Sequence, residues 1–127
     1  MPVFTDVETA YLASQRLGRL VTLAPKGSPQ VRPVRFSYNA ELDTIDIGGK
    51  AMAGSRKLRN VENDSRVAFV VDDLASIDPW RPRGIEIRGQ AEALSIDGGA
   101  MVRIHPRRVL VWGLDGESPA VHARNVP

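Results

Sequence analysis

The sequence predicts a mainly β fold, an antiparallel barrel carrying a few short helices. Three observations lead there. Six or seven short runs alternate apolar and polar residues, the period of a strand with one buried face. Most are joined by short turn-rich stretches, which suit antiparallel neighbours. Only two runs have helical spacing, so the regular strand–helix alternation of a parallel doubly wound sheet is missing.

The first element is a helix over residues 6–16. Thr5 caps it and Glu8, three residues on, completes a capping box. Val7, Ala10, Tyr11, Ser14 and Leu17 recur at helical spacing, and Gly18 is placed to end it. Strands follow from Arg19 to Ala24 and, after the turn Pro25–Pro29, from Gln30 to Tyr38. Pro33 has no N–H for a ladder and marks an edge or a bulge. Asp43 to Ile47 alternates again. A short helix is expected from Ser55 to Asn63, then a strand from Arg66 to Val71 whose unbroken apolar run suggests burial on both faces.

Residues 72–82 read as a loop, with Asp72 and Asp73 as solvated acids at a strand end. Gly84 to Leu94 alternates cleanly, and its small residues Gly89, Ala91 and Ala93 imply that something packs close against that face. Met101–Ile104 and Arg107–Leu114 are the last two strands, and residues 115–127 read as a polar tail.

A chain of 127 residues, 43% of them hydrophobic, can build one core, so residues 1–127 are taken as a single domain. No apolar run approaches the ~20 residues that span a bilayer, and Met1–Asp6 lacks the basic start and apolar stretch of a signal peptide. With no cysteine there is no thiolate metal site, and a cytoplasmic protein is expected. The net charge of +2 is small and acids are interleaved with bases, so neither nucleic acid nor membrane is expected as a partner.

Several chemistries lack their residues. There is no G-x-G-x-x-G after a strand. Gly49 and Gly54 have Walker-like spacing, but Ser55-Arg56 follows where Lys-Ser/Thr is required. His105 and His122 are the only histidines and form no metal pattern. No general acid, base or nucleophile is evident, and the catalytic residues are unknown.

One segment does carry a chemical signal. Gly48-Gly49-Lys50-Ala51-Met52-Ala53-Gly54-Ser55-Arg56-Lys57 places three cations and three glycines between a strand and a helix start. Cations in a first helical turn are disfavoured by about 0.3–1 kcal/mol each. A bound anion reverses that penalty, because the free N–H groups and the dipole both favour negative charge. Two readings stand at this point: a phosphate cradle, or a solvated basic helix start. A cradle without evident catalytic side chains suits chemistry done by a bound cofactor.

The order of segments resembles the split-barrel flavin-binding superfamily named for pyridoxamine 5'-phosphate oxidase, and within it the small F420-dependent oxidoreductases. The resemblance rests on Leu17-Gly18-Arg19-Leu20, Pro29–Val34, Gly48-Gly49-Lys50 through Asn60, Asp64-Ser65-Arg66-Val67-Ala68, Pro79–Gly89, and Ile104–Val109 with Trp112-Gly113-Leu114. It implies an antiparallel split β-barrel and a homodimer with two cofactor sites at its interface. It also implies an F420-dependent enzyme that moves a hydride between the deazaflavin and an unsaturated small organic substrate. The ring would lie against Val31–Phe36, near Arg32, Val34 and Arg35. Arg32 stands where the family usually has a small residue, and Arg35 where it often has an aromatic.

Gly49, Lys50, Ser55, Arg56 and Lys57 would hold the phosphate. Arg81 and Arg83 would meet tail carboxylates or belong to a proline-stiffened surface loop. Trp80 and Trp112 would wall the pocket, from either subunit, with packing at the dimer core as the other reading of Trp112. Two other classes remain: an FMN-binding oxidase or reductase on the same fold, and a non-catalytic split-barrel protein that carries flavin or haem.

Overall fold

A computed structural model describes residues 2–115 and 120–127. Helix α1 (Asp6–Ser14) leads into strands β1 (Leu17–Leu23), β2 (Pro29–Arg35), β3 (Ser37–Asn39) and β4 (Thr44–Gly48). Helix α2 (Arg56–Asn63) precedes β5 (Arg66–Ser76), β6 (Arg81–Ile96), β7 (Gly99–Trp112) and β8 (His122–Asn125). The strands pair antiparallel in the order β2-β1-β5-β6-β7-β4-β3, with β8 also on β7.

The closure comes from one residue. β2 and β3 stand at opposite ends of the sheet order, yet only Phe36 separates them in the chain. Two Cα steps span at most about 7 Å, so the ends of the sheet must meet. The sheet therefore rolls into a split barrel, joined through the chain at the seam. Phe36 turns its ring edge-on to Phe69, 5.2 Å between centroids. The strand expected from Gln30 to Tyr38 is thus two strands in two places.

Alternation supplies the core. Leu20, Phe69, Val71, Ile85, Ile87, Val109, Val102, Ile104, Ile45 and Ile47 are buried, with Leu12 of α1 as a plug. β5 buries one face only: Val67, Phe69 and Val71 point inward while Ala68 and Val70 are half-buried on the outer face. Both-face burial is corrected accordingly: among the described residues no second layer covers that side.

Other boundaries differ for identifiable reasons. α1 ends at Ser14, and Gly18 is a β1 residue rather than a helix stop. A Cβ there would stand 2.1 Å from the Phe69 ring, so the glycine admits the ring. The expected loop 72–82 is largely strand. Its acids are held by arginines across the ladders: Arg19 meets Asp72 at 2.6 Å and Arg83 meets Asp73 at 2.7 Å.

The runs expected at Met101–Ile104 and Arg107–Leu114 fall in one strand that ends at Trp112, with a register shift at Arg88/Gly89 that leaves Arg107 without a partner on β6. Pro106 sits at this bulge, between the stretches of β7 paired with β4 and with β8. Of the polar tail, His122–Asn125 is a strand, fastened by Arg124 to the buried Glu8 at 2.5 Å; residues 116–119 lie outside the described residues. α2 lies against β1, β6 and β7, while at Gly89 of β6 it is β7 that packs close, since a Cβ there would stand 2.3 Å from the His105 carbonyl oxygen.

Candidate functional site

The β1–β2 hairpin makes the floor of the site. Its register sets Gly18 opposite Val34, Leu20 opposite Arg32 and Thr22 opposite Gln30, without a bulge. Strand alternation then puts Leu20, Thr22, Gln30, Arg32 and Val34 on one face and Val31, Pro33 and Arg35 on the other. β2 is an edge strand, and this is how Pro33 is accommodated. Arg32 and Arg35 therefore point apart. Val34 is buried on the same face as Leu20, and Arg35 is exposed on the outer face.

The start of α2 makes the wall. Ser55 is its N-cap: Oγ accepts from the Leu58 N–H at 3.2 Å and donates to the Met52 carbonyl at 2.8 Å. Met52 is buried and anchors the loop, with its N–H on the Gly49 carbonyl. Gly49 has φ +140°, a conformation that favours glycine. The Ser55 hydroxyl is thus engaged at both its donor and an acceptor position as a cap. Ser55→Ala should cost about 0.5–2 kcal/mol of stability, read as a lower midpoint in denaturant melting with an unchanged slope.

Between floor and wall lies a cavity of about 440 Å³, lined by Leu20, Thr22, Gln30, Val31, Arg32, Arg56 and Lys57. Three of the seven are cations and none is acidic. Among the described residues, Arg32, Arg56 and Lys57 make no ion pair. The backbone N–H groups of Arg56 and Lys57, first in the helix, likewise have no acceptor there. Unpaired cations, free N–H groups and the positive end of a helix all favour an anion.

The expected residues do not all converge. Arg32, Arg56 and Lys57 line the cavity; Gly49, Lys50 and Ser55 belong to the loop before it, and Lys50 is exposed. Arg81 is exposed at the β5–β6 turn beside Trp80. Arg83 is engaged elsewhere in this chain. It pairs with Asp73 through Nε at 2.7 Å and Nη2 at 3.0 Å, and lies 5.1 Å over the Tyr11 ring. Tyr11 donates to the same carboxylate at 2.8 Å. The Arg83 bonds hold the Asp73 carboxyl below the usual range, against burial. Arg83 thus fastens α1 to the β5–β6 hairpin, and the reading of a surface loop is corrected to a tied one.

Trp112 packs over Gly84, where a Cβ would stand 2.4 Å from the indole. It lines a separate cavity of about 260 Å³ with Thr5, Val7, Glu8 and Arg124 among others.

Sequence reasoning missed Thr22, Gln30 and Asn60 as site residues. Asn60 is buried, and its Nδ2 donates to Thr22 Oγ1 and to Gln30 Oε1, both at 2.9 Å. A signal existed for Asn60, since it follows Arg56 by four residues and shares its helix face. Thr22 and Gln30 become visible only with the hairpin register.

A family model described as pyridoxamine 5'-phosphate oxidase matches residues 4–113. The chain is 45% identical over 132 aligned residues to the 5a,11a-dehydrotetracycline/5a,11a-dehydrooxytetracycline reductase of Streptomyces rimosus, covering 97% of this chain and 93% of that protein. A conserved hypothetical protein of Mycobacterium tuberculosis shares the fold, with TM-score 0.72 and 23% identity over 89% of this chain and 87% of that one. So does an FAD binding protein from Mycobacterium smegmatis, with TM-score 0.64 and 21% identity over 84% of this chain and 91% of that one.

Proposed function

The chain belongs to the pyridoxamine 5'-phosphate oxidase family, and we propose that it is an oxidoreductase that uses coenzyme F420 to reduce an unsaturated small organic molecule. The observation that carries this reading is the cavity in which Arg32, Arg56 and Lys57 stand without acids. The reductase relative supports reduction as the reaction and dehydrotetracycline-like polycycles as the first substrates to try. A lining of donors and cations fits the phosphodiester and carboxylates of the F420 tail. When bound, F420 supplies two-electron hydride chemistry. The side chains of the cavity bind the tail, and the hairpin face from Arg32 to Val34 orients the ring and excludes water from it.

The active form is a cytoplasmic homodimer in this reading. Val21, Val31, Ala68 and Val70 share the outer face of β2, β1 and β5 by register, and Val31 is 52% exposed. A second copy seated on that apolar face would shield it and could bring Arg81, Trp80 and Trp112 to the partner's cavity.

The test is equilibrium binding of F420 and of FMN, side by side, by fluorescence quenching. Oxidation of reduced F420 in the presence of 5a,11a-dehydrotetracycline is then followed. F420 should bind at least about tenfold tighter than FMN, a difference of about 1.4 kcal/mol, and its oxidation should require the substrate. Preference for FMN would overturn the cofactor assignment, and binding of neither would overturn the function.

A further inference from the structure

We propose that Asn60 sets the hydrogen-bond polarity of the cavity between α2 and the β1–β2 hairpin, so that Gln30 and Thr22 enter the anion site as donors. The inference rests on the cofactor reading of that cavity and adds two ligand-facing residues, with a third that positions them. A primary amide offers one acceptor oxygen and two N–H donors. Asn60 is 2% exposed and spends both donors inside the protein, one on Thr22 Oγ1 and one on Gln30 Oε1. Gln30 lines the cavity, and with its oxygen taken only its NH2 group remains to face a ligand.

Thr22 is held the same way. It is 2% exposed and lines the cavity, and its oxygen already accepts from Asn60. Its O–H must then point away from Asn60, and among the described residues it meets no acceptor. The Gln30 NH2 also has no acceptor among the described residues. Hydrogen-bond donors without acceptors are costly where water is excluded. The polar lining is therefore donor throughout: Thr22, Gln30, Arg32, Arg56 and Lys57.

The matching ligand is a phosphoryl group with oxygens enough for several donors at once. The reverse setting, with the Asn60 carbonyl facing Thr22 and Gln30, would turn the Gln30 oxygen toward the anion and oppose it.

Two substitutions separate these settings. Asn60→Asp replaces the donor by a carboxylate of the same shape, so Gln30 must give its NH2 to the new carboxylate and turn its oxygen to the ligand. Gln30→Met keeps the volume and removes the donor. Dissociation constants are measured for F420 by fluorescence quenching and for inorganic pyrophosphate by titration calorimetry, with thermal melting in parallel.

Gln30→Met should weaken both ligands about 10- to 100-fold, the range for a hydrogen bond to a charged group. Asn60→Asp should weaken them more, with recovery as the pH is lowered and the new carboxylate takes a proton, and it should cost clearly less in a Gln30→Met background, which plain charge repulsion would not produce. If Asn60→Asp does not fold, Gln30→Met alone decides. Wild-type affinities in Gln30→Met would overturn the proposal. Pyrophosphate bound without F420 or FMN, and lost in Gln30→Met, would uphold it while the cofactor reading fell. A wild-type protein that binds none of the three would overturn both.

Discussion

Replacing Arg56 and Lys57 together by alanine should weaken F420 binding by about two to four orders of magnitude. In the proposed F420 complex each cation would contribute charge-assisted hydrogen bonds worth about 1.5–3 kcal/mol. Together they supply about 3–6 kcal/mol if additive, and every 1.4 kcal/mol is tenfold in affinity. The stability of the protein should move little and in the opposite direction. Neither side chain makes an ion pair among the described residues. Both open a helix whose dipole disfavours cations, by about 0.3–1 kcal/mol each.

Affinity that falls while the melting temperature holds or rises is the mark of residues kept for a ligand. Fluorescence quenching and thermal melting on the same preparations read the two quantities. Salt gives an independent check, because exposed charges are screened beyond about 8–10 Å at moderate ionic strength. Wild-type affinity should decline with added salt more steeply than that of the double variant. Unchanged F420 affinity in Arg56→Ala/Lys57→Ala would remove the anion site from this cavity.

That segment was legible in the sequence because its signals are local. Ser55 announces a cap, the glycines before it announce a loop, and Arg56 and Lys57 are wrong for a first turn unless something anionic compensates. The floor was not legible, because it depends on which strands meet. Leu20, Thr22, Gln30 and Arg32 share a face through the β1–β2 register, and α2 reaches that face through Asn60. No periodicity in either segment encodes the encounter. The break at Phe36 was hidden for a related reason. Alternation continues through it, while the chain leaves one end of the sheet order for the other.

At Arg83 the sequence left two roles open, a partner for tail carboxylates or part of a surface loop. A loop arginine near a site invites a ligand role, but the extension of β5 to Ser76 brings Asp73 opposite it and engages its guanidinium. Long-range pairing decided what local composition left open. Arg124 is a further case, since only the return of β8 onto β7 brings it to Glu8.

The second large effect belongs to Asp46 and Arg103, partners across β4 and β7. Arg103 donates through Nε and Nη2 to the two carboxylate oxygens at 3.0 and 3.1 Å. Thr44 and Asn39 donate to the same group at 2.9 and 3.0 Å. The carboxylate is 8% exposed. Burial pushes its pKa up, but the bonds from Arg103, Asn39 and Thr44 together outweigh burial and leave it below the ordinary value.

Arg103→Met strands this charge and should cost about 3–5 kcal/mol, a large part of the about 5–15 kcal/mol that holds a typical domain together. The pH dependence has a definite sign. A folded-state pKa below the unfolded value near 3.9 means stability that is present above about pH 4 and lost as the pH falls further. Without Arg103 the largest lowering cause is gone, the carboxyl titrates at a higher pH, and its protonation relieves the buried charge. The deficit of Arg103→Met against wild type should therefore shrink between pH 7 and pH 4 in urea melting. Asp46→Asn added to the variant should recover much of the loss at pH 7, where the stranded charge is greatest, and little at pH 4. A deficit constant across that window would mean that lost packing by the Arg103 side chain, rather than its charge, holds β4 to β7.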